Sequence, residues 1–363
     1  VFSKRLAMDN GLMVLRILLQ QDSFRLDQVF LSKLLCTARA VQSVIEQDCS
    51  DYHLQLCVNR QCLLQEFQQG SAAWLQKQAY LAKSLSVIVE LPPVSPSDRQ
   101  QQDRCIDAIA AALCASVKPL KLLSFNSNAA TVQLLQGLAG LRCCLQSLTV
   151  NVQQHTSGMT AALAALTGLK RLTLQAPACE LLLPAVPGLQ QLQHLELQQL
   201  SLHRLSMLEQ YLPLGIRALT VSCKGWQWHR QPWSLQLGNL TALTELHGSR
   251  GRGDLRFVIR PGDTLPASLK VLYVDDLAAG AAPVLSPDLQ QLQMLSLTSC
   301  GPSGIASASA AVDHLTGLHH VCLHQRTCHD QETVNHLALD QSLALIMKAL
   351  QLRGGKLLMT RQE

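Results

Sequence analysis

One spacing of leucines recurs along the chain and limits what it can fold into. Its cleanest copy is Leu292 to Cys300, LQMLSLTSC, which reads Leu-x-x-Leu-x-Leu-x-x-Cys. Weaker cores begin at Leu120, Leu145, Leu169, Leu192, Ile216, Leu243, Leu269 and Leu318. With Leu292 in its place, successive starts lie 25, 24, 23, 24, 27, 26, 23 and 26 residues apart. In each core the second and third apolar residues are two apart, so both point to one side of a strand. One such strand with its return segment cannot bury its own apolar face, whereas a stack of them can. The return segments are expected at Met159 to Leu166, Leu205 to Leu212 and Ala311 to Leu315. Further strands are expected at Ser84 to Glu90, around Leu85 to Val87, and at Leu357 to Met359.

This period and pattern resemble the leucine-rich-repeat superfamily. The resemblance implies an α/β solenoid, a horseshoe whose parallel strands line the concave side, with a small helical module at the N-terminus. The consensus ninth residue, Asn or Cys, bonds the turn backbone. From Leu145 onward only Cys300 keeps it, while Gln153, Pro177, Leu200, Lys224, Gly251, Leu277 and Arg326 stand elsewhere. The expectation is therefore an irregular solenoid without an asparagine ladder. Three segments follow: a helical module at 1–48, a helical connector with a first irregular repeat at 49–104, and the solenoid at 105–363. Within the connector, residues 49–80 read as Gln-rich helix. Pro92 to Arg104 is a loop, and a helix is expected from Asp103 to Val117.

Aromatic residues make up only 4% of the chain, so the core must be leucine rather than rings. The formal charge of +5 is too mild for a nucleic-acid protein unless it is clustered. The 13 cysteines are odd in number and form no CxxC pair, which points to reduced thiols in an intracellular, cytoplasmic or nuclear protein. No run of about 18 apolar residues occurs, so no membrane span is expected. The run Leu12 to Leu19 is interrupted by Arg16 and reads as helix rather than signal peptide.

Residues 1–48 carry short amphipathic helices, with Leu12, Leu15 and Leu18 on one stretch and Leu34 and Leu35 on another. The segments GLMVLRILL and LSKLLCTARAVQSVI resemble the F-box family, with Leu35 and Cys36 in its valine-cysteine places. Either Leu6-Ala7 stands where that family has Leu-Pro or that pair lies upstream, and Ala40 stands where it has tryptophan. The resemblance implies that Leu12, Leu15, Leu18, Leu34 and Leu35 dock a Skp-family adaptor. The chain would then be the substrate receptor of a cullin-RING ubiquitin ligase of plant or green-algal type. The alternatives are a cap on the solenoid, or a scaffold of cytoskeletal or ciliary kind without a ligase role.

No HExxH, GxSxG or GxxxxGK[ST] motif is present, so no catalytic residue and no cofactor are expected. The strand positions between the leucines form the default binding face for a protein substrate. They include Arg171, Thr173, His194, Glu196 and Thr220, then Glu245, His247, Tyr273 and Ser296, and finally His320 and Cys322. This mixture is only lightly charged, which argues against nucleic acid. His320, Cys322 and His324 alternate onto one strand face, but three ligands would have to converge across about 13 Å, and no metal is expected. Trp226, Trp228, Arg230 and Trp233 crowd one long interval between repeats. They are either a binding hot spot or rings folded over a widened repeat. Arg250, Arg252, Arg256 and Arg260 are either a basic patch for an acidic partner or a solvated loop.

Overall fold

A computed structural model describes residues 53–59, 84–90, 107, 111, 122–127, 131–140, 145–152, 156–175, 179–200, 207–223, 235–249, 257–285, 287–326 and 336–362. The chain forms two compact units. One is Val1–Val150 with Thr156–Ala162; the other is Asn151–His155 with Leu163–Glu363. Each is α/β, built on parallel strands that follow one another in chain order.

In the first unit β1 (His53–Asn59), β2 (Ser84–Glu90), β3 (Leu122–Ser127) and β4 (Ser147–Asn151) pair side by side. Helix α1 (Val132–Gly140) follows β3. Its N-terminus is capped: Thr131 Oγ1 accepts the Leu134 N–H at 3.0 Å and donates to Asp107 at 2.7 Å. β2 lies where the alternation of SLSVIVE places a strand. β1 corrects the sequence reading, which has helix across 49–80. In HLQLCVN, Leu54, Leu56 and Val58 alternate with period two, and a parallel neighbour in full register outweighs the helical bias of the glutamines around them. The segment boundaries at 48 and 104 fall outside the described residues, as do the helical module at 1–48 and nearly all of the helix expected from Asp103.

Helix α2 (Met159–Ala164) is divided between the units, and the second unit carries eight parallel strands. These are β5 (Arg171–Gln175), β6 (His194–Leu200), β7 (Ala218–Cys223), β8 (Glu245–Ser249), β10 (Val271–Val274), β12 (Met294–Cys300), β13 (His320–Arg326) and β14 (Lys356–Gln362). A two-residue pair, β9 (Val258–Ile259) with β11 (Asp276–Leu277), stands apart. The connections are short 3-10 turns such as Leu208–Tyr211, or helices α3 (Pro302–Val312) and α4 (His336–Leu352). Strand and return alternate as the leucine period requires, and the nine cores read from the sequence all lie on strands.

Register makes the core. Leu172, Leu195, Leu219, Leu246, Leu272 and Leu295 lie side by side across neighbouring strands and are all buried. Each contributes roughly 1.5–3 kcal/mol by leaving water. A second row runs Leu174, Leu197, Val221 and Gly248, and resumes with Val274 and Leu297. The third apolar position of the repeat beginning at Leu243 is thus a glycine. Phe257 occupies the space: a Cβ on Gly248 would come within 2.1 Å of its ring, and Phe257 is among the largest fully buried side chains. The missing leucine is replaced by a phenylalanine nine residues further along.

Restoring the repeat pattern at this point should therefore harm the fold. Gly248→Leu is expected to destabilise by about 1–3 kcal/mol through overpacking, and Phe257→Ala by about 3–5 kcal/mol through the cavity it leaves. In urea denaturation the double variant should lose clearly less than the two single losses added together, because each change relieves the other.

Candidate functional site

In the second unit, the strand face opposite the leucines carries side chains in ordered rows. Because side chains alternate along a strand, register turns isolated residues into rows. One row is Arg171, His194, Ala218, Glu245, Val271, Met294, His320 and Lys356. The next contains Thr173, Glu196, Thr220, His247, Tyr273, Ser296, Cys322 and Leu358.

Two clusters form on this face. At β5 and β6, Arg171 stands beside His194, while Glu196 accepts hydrogen bonds from Thr173 (3.2 Å) and Gln198 (2.8 Å). At β8 and β10, Glu245 lies 3.8 Å from the His247 ring, which stacks on Tyr273 at 5.8 Å between centroids and 28° between planes. Between the clusters runs β7, whose face residues Ala218 and Thr220 are small. Glu245 and Arg171 are exposed; Tyr273, His194 and Glu196 are half-buried. His320 is exposed but lies three strands beyond Glu245, about 14 Å away, and belongs to neither cluster. Ser296 departs from expectation: it is only 1% exposed, so it contributes nothing to an open surface.

Partial burial pushes the His194 pKa below its ordinary value of 6.5, and the nearby Arg171 and Arg217 push the same way against Glu245. The neutral form of the ring is thereby favoured. Burial raises the Cys322 thiol. His324 bonds Thr360 through its Nδ1. Among the described residues no group of three or more His, Cys, Asp or Glu could hold a metal ion. No helix among them is long and apolar enough to cross a membrane. Taken together, the face offers an exposed carboxylate, a stacked aromatic pair and neutral hydrogen-bonding groups, a mixture that suits recognition of another protein.

Residues Leu12, Leu15, Leu18, Leu34 and Leu35 lie outside the described residues. So do Trp226, Trp228, Arg230 and Trp233, and Arg250, Arg252 and Arg256. Arg260 is described, and its backbone enters a feature that sequence reasoning missed. Among the described residues three aspartates are buried: Asp263, Asp275 and Asp276. Asp263 accepts the N–H of Leu235 (2.6 Å) on one oxygen and that of Arg260 (2.7 Å) on the other. Asp275 accepts from Phe257 N–H (2.7 Å) and from the Thr298 hydroxyl (2.5 Å). Asp276 accepts from Leu277 N–H (2.8 Å) and Gly301 N–H (3.3 Å), and packs so close to Gly304 that a Cβ there would meet its carboxylate. The available signal was VLYVDD: two carboxylates directly after a strand core, where the repeat turns inward.

The ninth-position residues follow the same logic. Leu200, Leu277 and Cys300 are all buried. Register shifts between Leu197 and Leu200, and between Leu297 and Cys300, swing Leu200 and Cys300 inward. Gln199 takes φ 64 to make the first of these bends, and its N–H is received by Ser222 Oγ at 3.3 Å. Cys300 Sγ donates to the His324 carbonyl at 3.6 Å on the next coil; burial first, then Asp276, pushes its pKa up to about 12, so it remains a thiol.

Two outcomes follow. Asp263→Asn should destabilise by about 1–3 kcal/mol in urea denaturation, because an amide has one acceptor oxygen for two N–H groups and turns its NH₂ toward the other. The His194 ring should titrate below 6.5 by NMR. Since its folded pKa is depressed, its contribution to stability is complete above the unfolded value and is lost as pH falls through that region. Arg171→Ala should move the titration upward. No protein-family model matches the chain, and no curated protein matches it.

Proposed function

We propose that the coils are leucine-rich repeats forming a horseshoe, and that the chain is a non-catalytic F-box type receptor. In this reading the N-terminal module docks a Skp-family adaptor, and the strand face of the repeats holds a protein substrate for a cullin-RING ubiquitin ligase. The repeat assignment is supported by one observation above the others. The LxxLxL cores spaced 23 to 27 residues apart fall on parallel strands in chain order, with the leucines in register. The binding assignment is supported by the polar rows of the opposite face, with Arg171, His194, Glu196, Glu245 and Tyr273 in two clusters. The ligase assignment is supported by GLMVLRILL and LSKLLCTARAVQSVI. Such a receptor does no chemistry; it raises the concentration of its substrate beside the ligase.

The departures Leu6-Ala7 and Ala40 favour a second reading, a scaffold built on the same repeats without an adaptor. Adaptor recovery separates the two. The intact chain is expected to co-purify with a Skp-family adaptor. A chain lacking residues 1–48, which spares β1, should lose the adaptor and still unfold cooperatively in urea. Replacing Leu34 and Leu35 by Asp should also release the adaptor. An intact, folded chain that recovers no adaptor would overturn the ligase reading and leave the scaffold.

A further inference from the structure

Just before the strands of the second unit, one residue per coil ties its backbone to the next. The Lys170 carbonyl accepts the N–H of Gln193 (2.9 Å), and the Gln193 carbonyl accepts that of Arg217 (2.8 Å). Arg217 accepts in turn from Thr244 (2.8 Å), and Thr244 from Lys270 (2.8 Å). The series runs on from Lys270 to Gln293 (2.8 Å) and from Gln293 to His319 (3.0 Å). It is one row across the starts of the strands. A coil added at either end of the sheet would lengthen this row, not cover it. Arg217, Lys270, Gln293 and His319 are exposed, and Lys170 is half-buried.

The row alternates in charge. Lys170, Arg217 and Lys270 stand on every second coil, with the uncharged Gln193 and Thr244 between them. No Asp or Glu lies within three residues of any of the three cations. Among the described residues none of the three forms an ion pair. Glu245 directly follows Thr244, but its carboxylate lies 3.8 Å from the His247 ring on the strand face. The rim therefore presents evenly spaced positive charges on a backbone fixed before any partner arrives.

Spacing selects the occupant. Neighbouring strands are about 4.8 Å apart, so the cations recur about every 9.6 Å. An extended β-strand brings side chains of one side back after about 6.8 Å, which does not keep step. An α-helix repeats a face about every 5.4 Å, and two turns overrun by about 1.2 Å at each cation. Polyproline II has three residues per turn and rises about 3.1 Å per residue, so every third side chain returns after about 9.3 Å. From Lys170 to Lys270 that mismatch is only about 0.6 Å. The carbonyls of such a segment have no internal partner, and the Gln193 amide stands between the cations to donate to them. A nucleic acid would find phosphate partners here, but the row has no Phe, Tyr or Trp on which a base could stack. No stretch of residues 1–363 carries acids at three successive third positions, so these residues do not supply the occupant.

We propose that this rim binds an extended acidic segment of another protein in the polyproline II conformation. Carboxylates at every third residue of that segment meet Lys170, Arg217 and Lys270. This is recognition of an acidic motif by a set of fixed cations. It goes beyond the receptor reading and rests on the strand register alone, so neither depends on the other.

The test uses the full chain and three fluorescein-labelled peptides, followed by fluorescence anisotropy. They are Glu-Pro-Pro-Glu-Pro-Pro-Glu-Pro-Pro, the same peptide with Lys for each Glu, and Pro-Pro-Pro-Glu-Glu-Glu-Pro-Pro-Pro. The spaced acidic peptide is expected to bind about tenfold more tightly than the basic one, as three exposed ion pairs allow. It should bind about threefold more tightly than the clustered one, which cannot reach all three cations at once. Arg217→Glu should weaken the spaced peptide about tenfold. Lys348→Glu makes the same charge change on an exposed position of α4 and should leave binding unchanged. Both variants should unfold in urea as cooperatively as the parent. Equal binding of the three peptides, binding of none, or an equal effect of the two variants would overturn the proposal. So would a single-stranded oligothymidylate that binds more tightly than the spaced peptide and displaces it, since the rim would then belong to nucleic acid.

Discussion

Leucine packed beside leucine in parallel register is the interaction on which the second unit depends. A single coil places two or three apolar residues on one side of a five-residue strand, too little to offset the entropy of ordering the coil. The row from Leu172 to Leu295 turns those residues into one continuous wall. Stability is therefore shared between neighbouring coils, and a defect in one coil is felt at its two interfaces. The pairing of Gly248 with Phe257 shows how the wall tolerates irregular members. The position must be filled, but the filling side chain can come from an adjoining segment if the resident residue leaves room.

The same reasoning applies to the polar side of each coil. Where a strand ends, the backbone turns and its N–H groups need acceptors. A regular array meets this need with one residue type at the ninth position. Here Leu200 and Leu277 fill that position with apolar bulk, so acceptors come from elsewhere: Ser222 for Gln199, Asp275 for Phe257, Asp276 for Gly301. Each solution is local, and each spends a buried polar group whose desolvation must be offset by good hydrogen bonds. Asp263 makes the tension visible. Burial pushes its pKa up even though two short backbone bonds pull it down. The coils between β8 and β12 are held in part by buried carboxylates, whereas the coils of β5 to β7 pack leucine, valine and isoleucine with the single buried hydroxyl of Ser222.

The sequence made the strands legible because their signal is periodic and redundant. A core missing one leucine, such as that at Leu243, is still placed by its neighbours. β1 was not legible as part of this series because it precedes the first regular interval and lies among glutamines that favour helix. Its own clue, the alternation of Leu54, Leu56 and Val58, covers a single strand. The face residues were legible as positions, since alternation fixes which side they occupy. Their grouping was not, because it depends on which strands are neighbours and on what stands between them. Ser296 shows the limit most clearly. It occupies a face position by parity and is nevertheless buried, because accessibility depends on the side chains beside it. The aspartates were hidden for the opposite reason: a charged pair after a strand reads as a solvated turn unless the N–H groups it serves are known.

These facts bear on where a partner would act. A binding face built on β5 to β10 rests on strands fixed on both sides, so its residues are positioned before any partner arrives, and little ordering entropy remains to be lost on binding. Recognition on the face must come from particular side chains, such as Glu245 beside the His247–Tyr273 stack.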